Sequence, residues 1–122
     1  MGFAPDILDQ LRTTREVRIE TRRAPDAPAH RTIIWVVVEG DRAFVRTYLG
    51  ARSRWYREAL AEPDCTLWLG KEALPVRVVD ATQPDVVAAV SRGFEAKYAR
   101  SSSTPAMVRD EVLGTTLELL PR

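Results

Sequence analysis

Ile33-Ile34-Trp35-Val36-Val37-Val38-Glu39-Gly40-Asp41-Arg42-Ala43-Phe44-Val45-Arg46-Thr47-Tyr48 is the stretch on which the fold reading turns. Its first six residues are all apolar and mostly β-branched. That pattern predicts a strand buried on both faces. Glu39-Gly40-Asp41-Arg42 then reads as a tight turn, and residues 43 to 48 as the returning arm of a hairpin. On this arm Phe44, Arg46 and Tyr48 share one face, and Ala43, Val45 and Thr47 the other.

Outward from the hairpin, the elements come in quick succession. Leu49 to Ser53 breaks the strand, and Ser53 is a natural cap for a helix from Arg54 to about Glu62, stopped by Pro63. Cys65 to Leu69 reads as a strand, and Ala73 to Val79 as its hairpin partner. Pro75 in that partner predicts an edge strand or a bulge. Pro84 opens a helix whose stripe is Val87, Val90, Phe94 and Tyr98. Ser101 to Pro105 reads as a flexible loop, Met107 to Leu113 as a helical turn, and Thr115 to Leu120 as a last strand. Before the hairpin, Pro5 starts a short helix, Val17 to Glu20 alternates as a strand, and Arg23 to His30 is a Pro/Ala-rich loop. The expectation is a single mainly β domain with helices over residues 1–122. Sequential hairpins favour an antiparallel sheet, here a six-stranded split β-barrel with two to four short helices.

Composition narrows the function. The chain has 122 residues, 45% hydrophobic and 29% charged, with a net charge of +1. Those values fit one domain with its own core. They give no bulk charge for general nucleic-acid or membrane binding. The longest apolar run is too short to span a bilayer. One cysteine and one histidine, Cys65 and His30, do not make a usual zinc site or an internal disulfide. The lone thiol and the absence of a signal-like start predict a cytoplasmic protein. Cys65 alternates with Leu67 and Leu69 and is expected to be a buried small hydrophobe. Tyr98 is expected to pack, with Lys97 reaching past it to solvent.

Chemistry gathers between Arg42 and Arg57, where five arginines occur with no acid from Ala43 onward until Glu58. Arg46 and Thr47 end a strand, Gly50 lies in the turn, and Ser53 and Arg54 begin a helix. Free backbone donors at a helix start, hydroxyls and forked guanidinium groups suit a phosphate. Trp35, Tyr48, Trp55 and Tyr56 offer rings for stacking, or for ordinary packing.

The order of these pieces resembles the split-β-barrel flavin proteins, the superfamily of pyridoxamine-phosphate oxidases, flavin reductases and deazaflavin-dependent nitroreductases. The matching motifs are the Gly40-Asp41 hairpin, Val45-Arg46-Thr47, Gly50, and Trp55-Tyr56-Arg57 running to Pro63. More closely, the chain is similar along nearly its full length to a small family of uncharacterised proteins within that superfamily. The further matching pieces are Thr21-Arg22-Arg23, Thr32 to Val38, Lys97-Tyr98 and Thr115 to Arg122. The resemblance implies a homodimer with FMN or a deazaflavin in a groove between subunits. It places Arg46, Thr47, Ser53 and Arg54 on the phosphate, and Ile34 and Trp35, with Trp55 near them, along the ring. It implies an oxidoreductase acting on a small-molecule substrate, with the hydride chemistry supplied by the cofactor and no assigned catalytic residue. The alternative is a barrel that has lost its cofactor and serves as a small-molecule binder or a non-redox enzyme of secondary metabolism.

Overall fold

The apolar run from Ile33 to Val38 is not one strand but two, and the break between them shapes the molecule. In the computed structural model, which describes residues 2–122, β2 is His30–Ile34 and β3 is Val37–Glu39. The remaining strands are β1 Val17–Thr21, β4 Arg42–Val45, β5 Asp64–Leu69, β6 Glu72–Asp80 and β7 Leu117–Pro121. They form one sheet in the order β2-β1-β5-β6-β7-β4-β3, with every neighbouring pair antiparallel. β2 and β3 are thus the two opposite edges of a seven-stranded sheet, yet only Trp35 and Val36 separate them. Three peptide steps span at most about 11 Å. The sheet must therefore curl until its edges nearly meet, a barrel left open at one seam.

This crossing accounts for two departures from expectation. The strand count is seven rather than six because the run divides at the seam. The run is also not buried throughout: Ile33 is 54% exposed, whereas Val36 and Val37 are buried. Ile33 lies on the outer face of an edge strand with nothing over it, while Val37 lies under a helix. Burial on both faces instead belongs to β4, where Ala43 and Val45 point into the barrel and Phe44 points outward beneath that helix.

Crossing the seam removes Trp35 and Val36 from the ladder, so their polar groups need other partners. For the Val36 carbonyl, Lys97 and Tyr98 at the C-terminal end of α3 (Pro84–Lys97) supply them. Lys97 Nζ donates to Val36 O at 2.6 Å and to Leu11 O at 2.7 Å. Tyr98 Oη donates to Arg15 O at 2.6 Å and lies 3.3 Å from Val36 O. Tyr98 is buried as expected, but Lys97 turns inward to these carbonyls instead of reaching to solvent. Burial lowers its pKa to about 8.

Two clusters make up the core. Inside the barrel, Ile19, Ile34, Val45, Leu67, Val76, Leu117 and Leu119 meet Trp55 and Ala59 of α2 (Arg54–Ala61) and Leu11 of α1 (Pro5–Thr13). Cys65, Leu67 and Leu69 share this inner face as their alternation predicts. Outside, Val90, Phe94 and Tyr98 of α3 cover Val37 and Phe44. The expected helical turn near residue 107 is a pair of short helices, α4 Thr104–Val108 and α5 Asp110–Leu113. β6 is interior and unbulged although it contains Pro75. The carbonyl of Pro75 accepts from Arg122 N, so its missing N–H also faces Arg122, just past the last residue of β7. The proline thus forgoes only the reciprocal bond to Arg122 O, at the very end of the ladder.

Candidate functional site

The seam opens into a cleft of about 650 Å3, within the range of small-molecule sites. Its walls come from five places in the chain: Arg15 and Glu16 before β1, Thr32 to Trp35 at the seam, Arg46 to Leu49 after β4, Trp55 of α2, and the segment around Ser101–Ser103, Ala106 and Met107. Five of the seven residues expected at the site, Ile34, Trp35, Arg46, Thr47 and Trp55, meet here. Ser53 and Arg54 do not line the cleft. Ser53 is buried at the start of α2, its hydroxyl making no cap bond, and Arg54 is exposed.

Arg46 is the least ordinary member. It is 1% exposed and no carboxylate among the described residues pairs with it. Nε donates to Thr116 Oγ1 at 2.8 Å, Nη1 to Ser91 Oγ at 2.8 Å and Met107 O at 3.1 Å, and Nη2 to Val87 O at 2.8 Å. Four of the five N–H groups of a guanidinium are thereby committed to neutral acceptors. Burial alone pulls the pKa down to about 10, so the group stays charged at neutral pH. A side chain read from sequence as an open fork for a ligand is thus mostly engaged by α3, α4 and the approach to β7. It brings an uncompensated positive charge to the cleft wall, with one N–H left over. Thr47 beside it is also held locally: its N–H donates to Thr115 Oγ1, and its Oγ1 accepts from Leu49 N, both at 3.3 Å.

The aromatic wall is backed by a close ring stack. Trp35 stacks on Tyr98 with ring centroids 3.9 Å apart and planes 3° from parallel. Phe94 tilts against both rings, and the Arg15 guanidinium lies 6.0 Å from each centroid of the stacked pair. At the rim the surface stays apolar: Tyr48 is 58% and Leu49 42% exposed, next to Ile33.

The residues that sequence reading missed are Arg15, Glu16, Thr32, Ile33, Leu49, Ser101–Ser103, Ala106 and Met107. They have no motif of their own and converge only because the sheet curls. The one local signal is the Ser-rich run, which reads as a loop, and loops on a rigid scaffold commonly carry ligand contacts.

A second polar cluster lies outside the cleft wall, where Thr21 pairs with His30 at the far end of the β1–β2 ladder. Buried Glu58 accepts from Thr21 Oγ1 at 2.8 Å, and its carboxylate meets His30 Nδ1 at 3.1 Å. Among the described residues no three potential metal ligands cluster.

A curled antiparallel sheet whose edges meet at an open, aromatic-walled seam defines the class as a split barrel. Residues 7–119 match the family described as an uncharacterized protein conserved in bacteria, DUF2255, and the chain belongs to that family. No curated protein matches the sequence. Among solved structures, a conserved hypothetical protein from Mycobacterium tuberculosis is similar at TM-score 0.70 and 16% identity, with 98% of this chain and 79% of that one covered. A Listeria innocua protein assigned as a pyridoxamine 5′-phosphate oxidase gives 0.66 and 9%, covering 96% and 91%. The heme storage protein HutZ from Vibrio cholerae gives 0.64 and 12%, covering 100% and 92%. Identities this low show a common fold.

Proposed function

We propose that the cleft binds a planar, phosphorylated redox cofactor, FMN or a deazaflavin, and that the protein is an oxidoreductase acting on a small organic molecule. One observation carries this reading. A guanidinium without a counter-ion is held in the wall of a cleft that also presents Ile34, Trp35, Tyr48, Leu49 and Trp55, with Arg15, Glu16 and Ser101–Ser103 as its other polar part. A flat apolar ring with an anionic tail matches both features. Arg46 attracts the phosphate mainly through its charge, with Thr47 beside it. The start of α2, where Ser53 leaves the first-turn amides uncapped, adds positive potential nearby. Ile34, Trp35 and Trp55 form the surface for the ring. Such a cofactor, when bound, supplies the hydride chemistry. This chain's residues hold the ring against the close stack and shield one side from water.

The homodimer belongs to the same reading. Ile33, Tyr48 and Leu49 are about half exposed around the cleft mouth, and a second copy covering them would complete the wall. A free, buried thiol suits the reducing cytoplasm.

Heme is the second reading, supported by the full-length likeness to the Vibrio protein. Tyr48 and Met107 line the cleft and belong to residue types that ligate heme iron. Against it, the single histidine is outside the cleft wall, with Nδ1 engaged by Glu58. Mass spectrometry of the small molecule released on denaturing the purified protein separates the two. A flavin or deazaflavin phosphate supports the proposal, heme replaces it with the second reading, and a protein that neither carries nor takes up either is a barrel without cofactor.

A further inference from the structure

Among the described residues, one buried side-chain polar atom has no hydrogen-bond partner: Thr32 Oγ1. Thr32 lies on β2 opposite Ile19, in the inward row that continues to Ile34, and it lines the cleft. The neighbouring row, Arg31 and Ile33, faces out. A buried hydroxyl left unmatched costs free energy, and valine would fill the same volume without that cost. A hydroxyl kept at this place therefore points to a partner that arrives with the ligand.

We propose that Thr32 is a specificity-determining residue of the cleft, whose hydroxyl bonds to the polar edge of the bound ring. The ligand class this selects is a heterocycle with carbonyl or N–H groups on the ring edge itself, as opposed to a macrocycle whose edge is hydrocarbon apart from its flexible carboxylate side chains. The inference rests on the reading of the cleft as a ring-binding site and narrows it. The hydroxyl both donates and accepts, so it matches either kind of rim atom. A turn of about 120° about Cα–Cβ carries the hydroxyl to another staggered position, a side-chain change by which the oxygen would reach the ring without the strand moving.

The test uses Thr32→Val and Thr32→Ser with FMN, a 5-deazaflavin and hemin as probes. In Thr32→Val the binding of FMN or the deazaflavin weakens roughly tenfold, while Thr32→Ser stays near the parent. Without ligand, Thr32→Val melts at or above the parent temperature, because the unmatched hydroxyl is gone. Unchanged flavin-type affinity in Thr32→Val overturns this inference and leaves the cleft reading standing. A lower melting temperature without ligand also overturns it, since the hydroxyl would then have a partner within the protein. Hemin weakened as much as the flavins overturns the ring-edge selectivity. A parent protein that binds none of the three probes removes the cleft reading, and this inference with it.

Discussion

Replacing Arg46 by methionine keeps most of the side-chain volume and removes every donor. Thr116 Oγ1, Ser91 Oγ, Val87 O and Met107 O would each lose the bond they accept. A hydrogen bond from a charged group contributes about 1.5–3 kcal/mol, so four bonds set an upper bound well above the final effect. The opposing quantity is the cost of holding the guanidinium out of water. A pKa drawn down to about 10 corresponds to roughly 3 kcal/mol of lost solvation, which the variant recovers. The expected net loss is about 3–5 kcal/mol, a large part of the total stability of a small domain. Urea unfolding followed by tryptophan fluorescence reads it directly. Arg46→Lys retains the charge but has only three donors from one point, so it should lose a similar amount. A loss below about 1 kcal/mol in both variants would refute the view that Arg46 ties α3, α4 and β7 together. The same magnitude means that Arg46→Ala mixes loss of fold with loss of ligand. The proposed phosphate site is better probed by varying the ligand than by removing this residue.

Other tests bear on the seam, the core and the assembly. Lys97 has a folded-state pKa of about 8 against an ordinary value near ~10.4. Between these values the unfolded chain holds a proton that the folded one has released, so stability rises with pH across this window. A neutral amine still has two N–H groups for the two carbonyls of Leu11 and Val36. The stability of the parent relative to Lys97→Met should therefore rise by about 2–3 kcal/mol from pH 7 to pH 10 in urea titrations. A constant gap contradicts the buried-amine assignment. Burial pushes the Cys65 thiol up to about 11, so it should react slowly with thiol reagents at pH 8 in the folded protein. Cys65→Ala should cost about 1–2 kcal/mol without altering ligand affinity, and loss of binding would reassign the cysteine. Light scattering at micromolar concentration should give twice 13.7 kDa; a value of 13.7 kDa rules out the dimer.

Local patterns were legible where one element explains them. The β4 faces, the α2 span after Ser53, the inward row of Cys65, Leu67 and Leu69, and the helix opened by Pro84 all follow from spacing and caps. Long-range consequences were not. Nothing in six consecutive apolar residues marks Trp35 and Val36 as the place where the chain leaves one sheet edge for the other. That step depends on Lys97 and Tyr98, more than sixty residues away in the chain, to satisfy the Val36 carbonyl. Pro75 could not be placed inside the sheet without knowing that Arg122 would face its missing N–H. Arg46 and Thr47 were readable as polar residues near a helix start. Their engagement was not, because the partners of Arg46 lie 41 to 70 residues further on. The cleft was legible in its aromatic and arginine half, and hidden in the half contributed by Arg15, Thr32 and the Ser101–Ser103 segment.

The central claim is that the cleft takes a flat ring together with its phosphate. Titrating the parent protein with FMN, riboflavin, a 5-deazaflavin phosphate and hemin, followed by fluorescence or absorbance, tests this most directly. The account predicts that FMN or the deazaflavin phosphate binds at micromolar concentration or below. Riboflavin, lacking the charge that meets Arg46, should bind at least roughly tenfold more weakly, the loss expected for one charged contact. Equal affinity for FMN and riboflavin, or no flavin-type binding below about millimolar while hemin binds tightly, would contradict it.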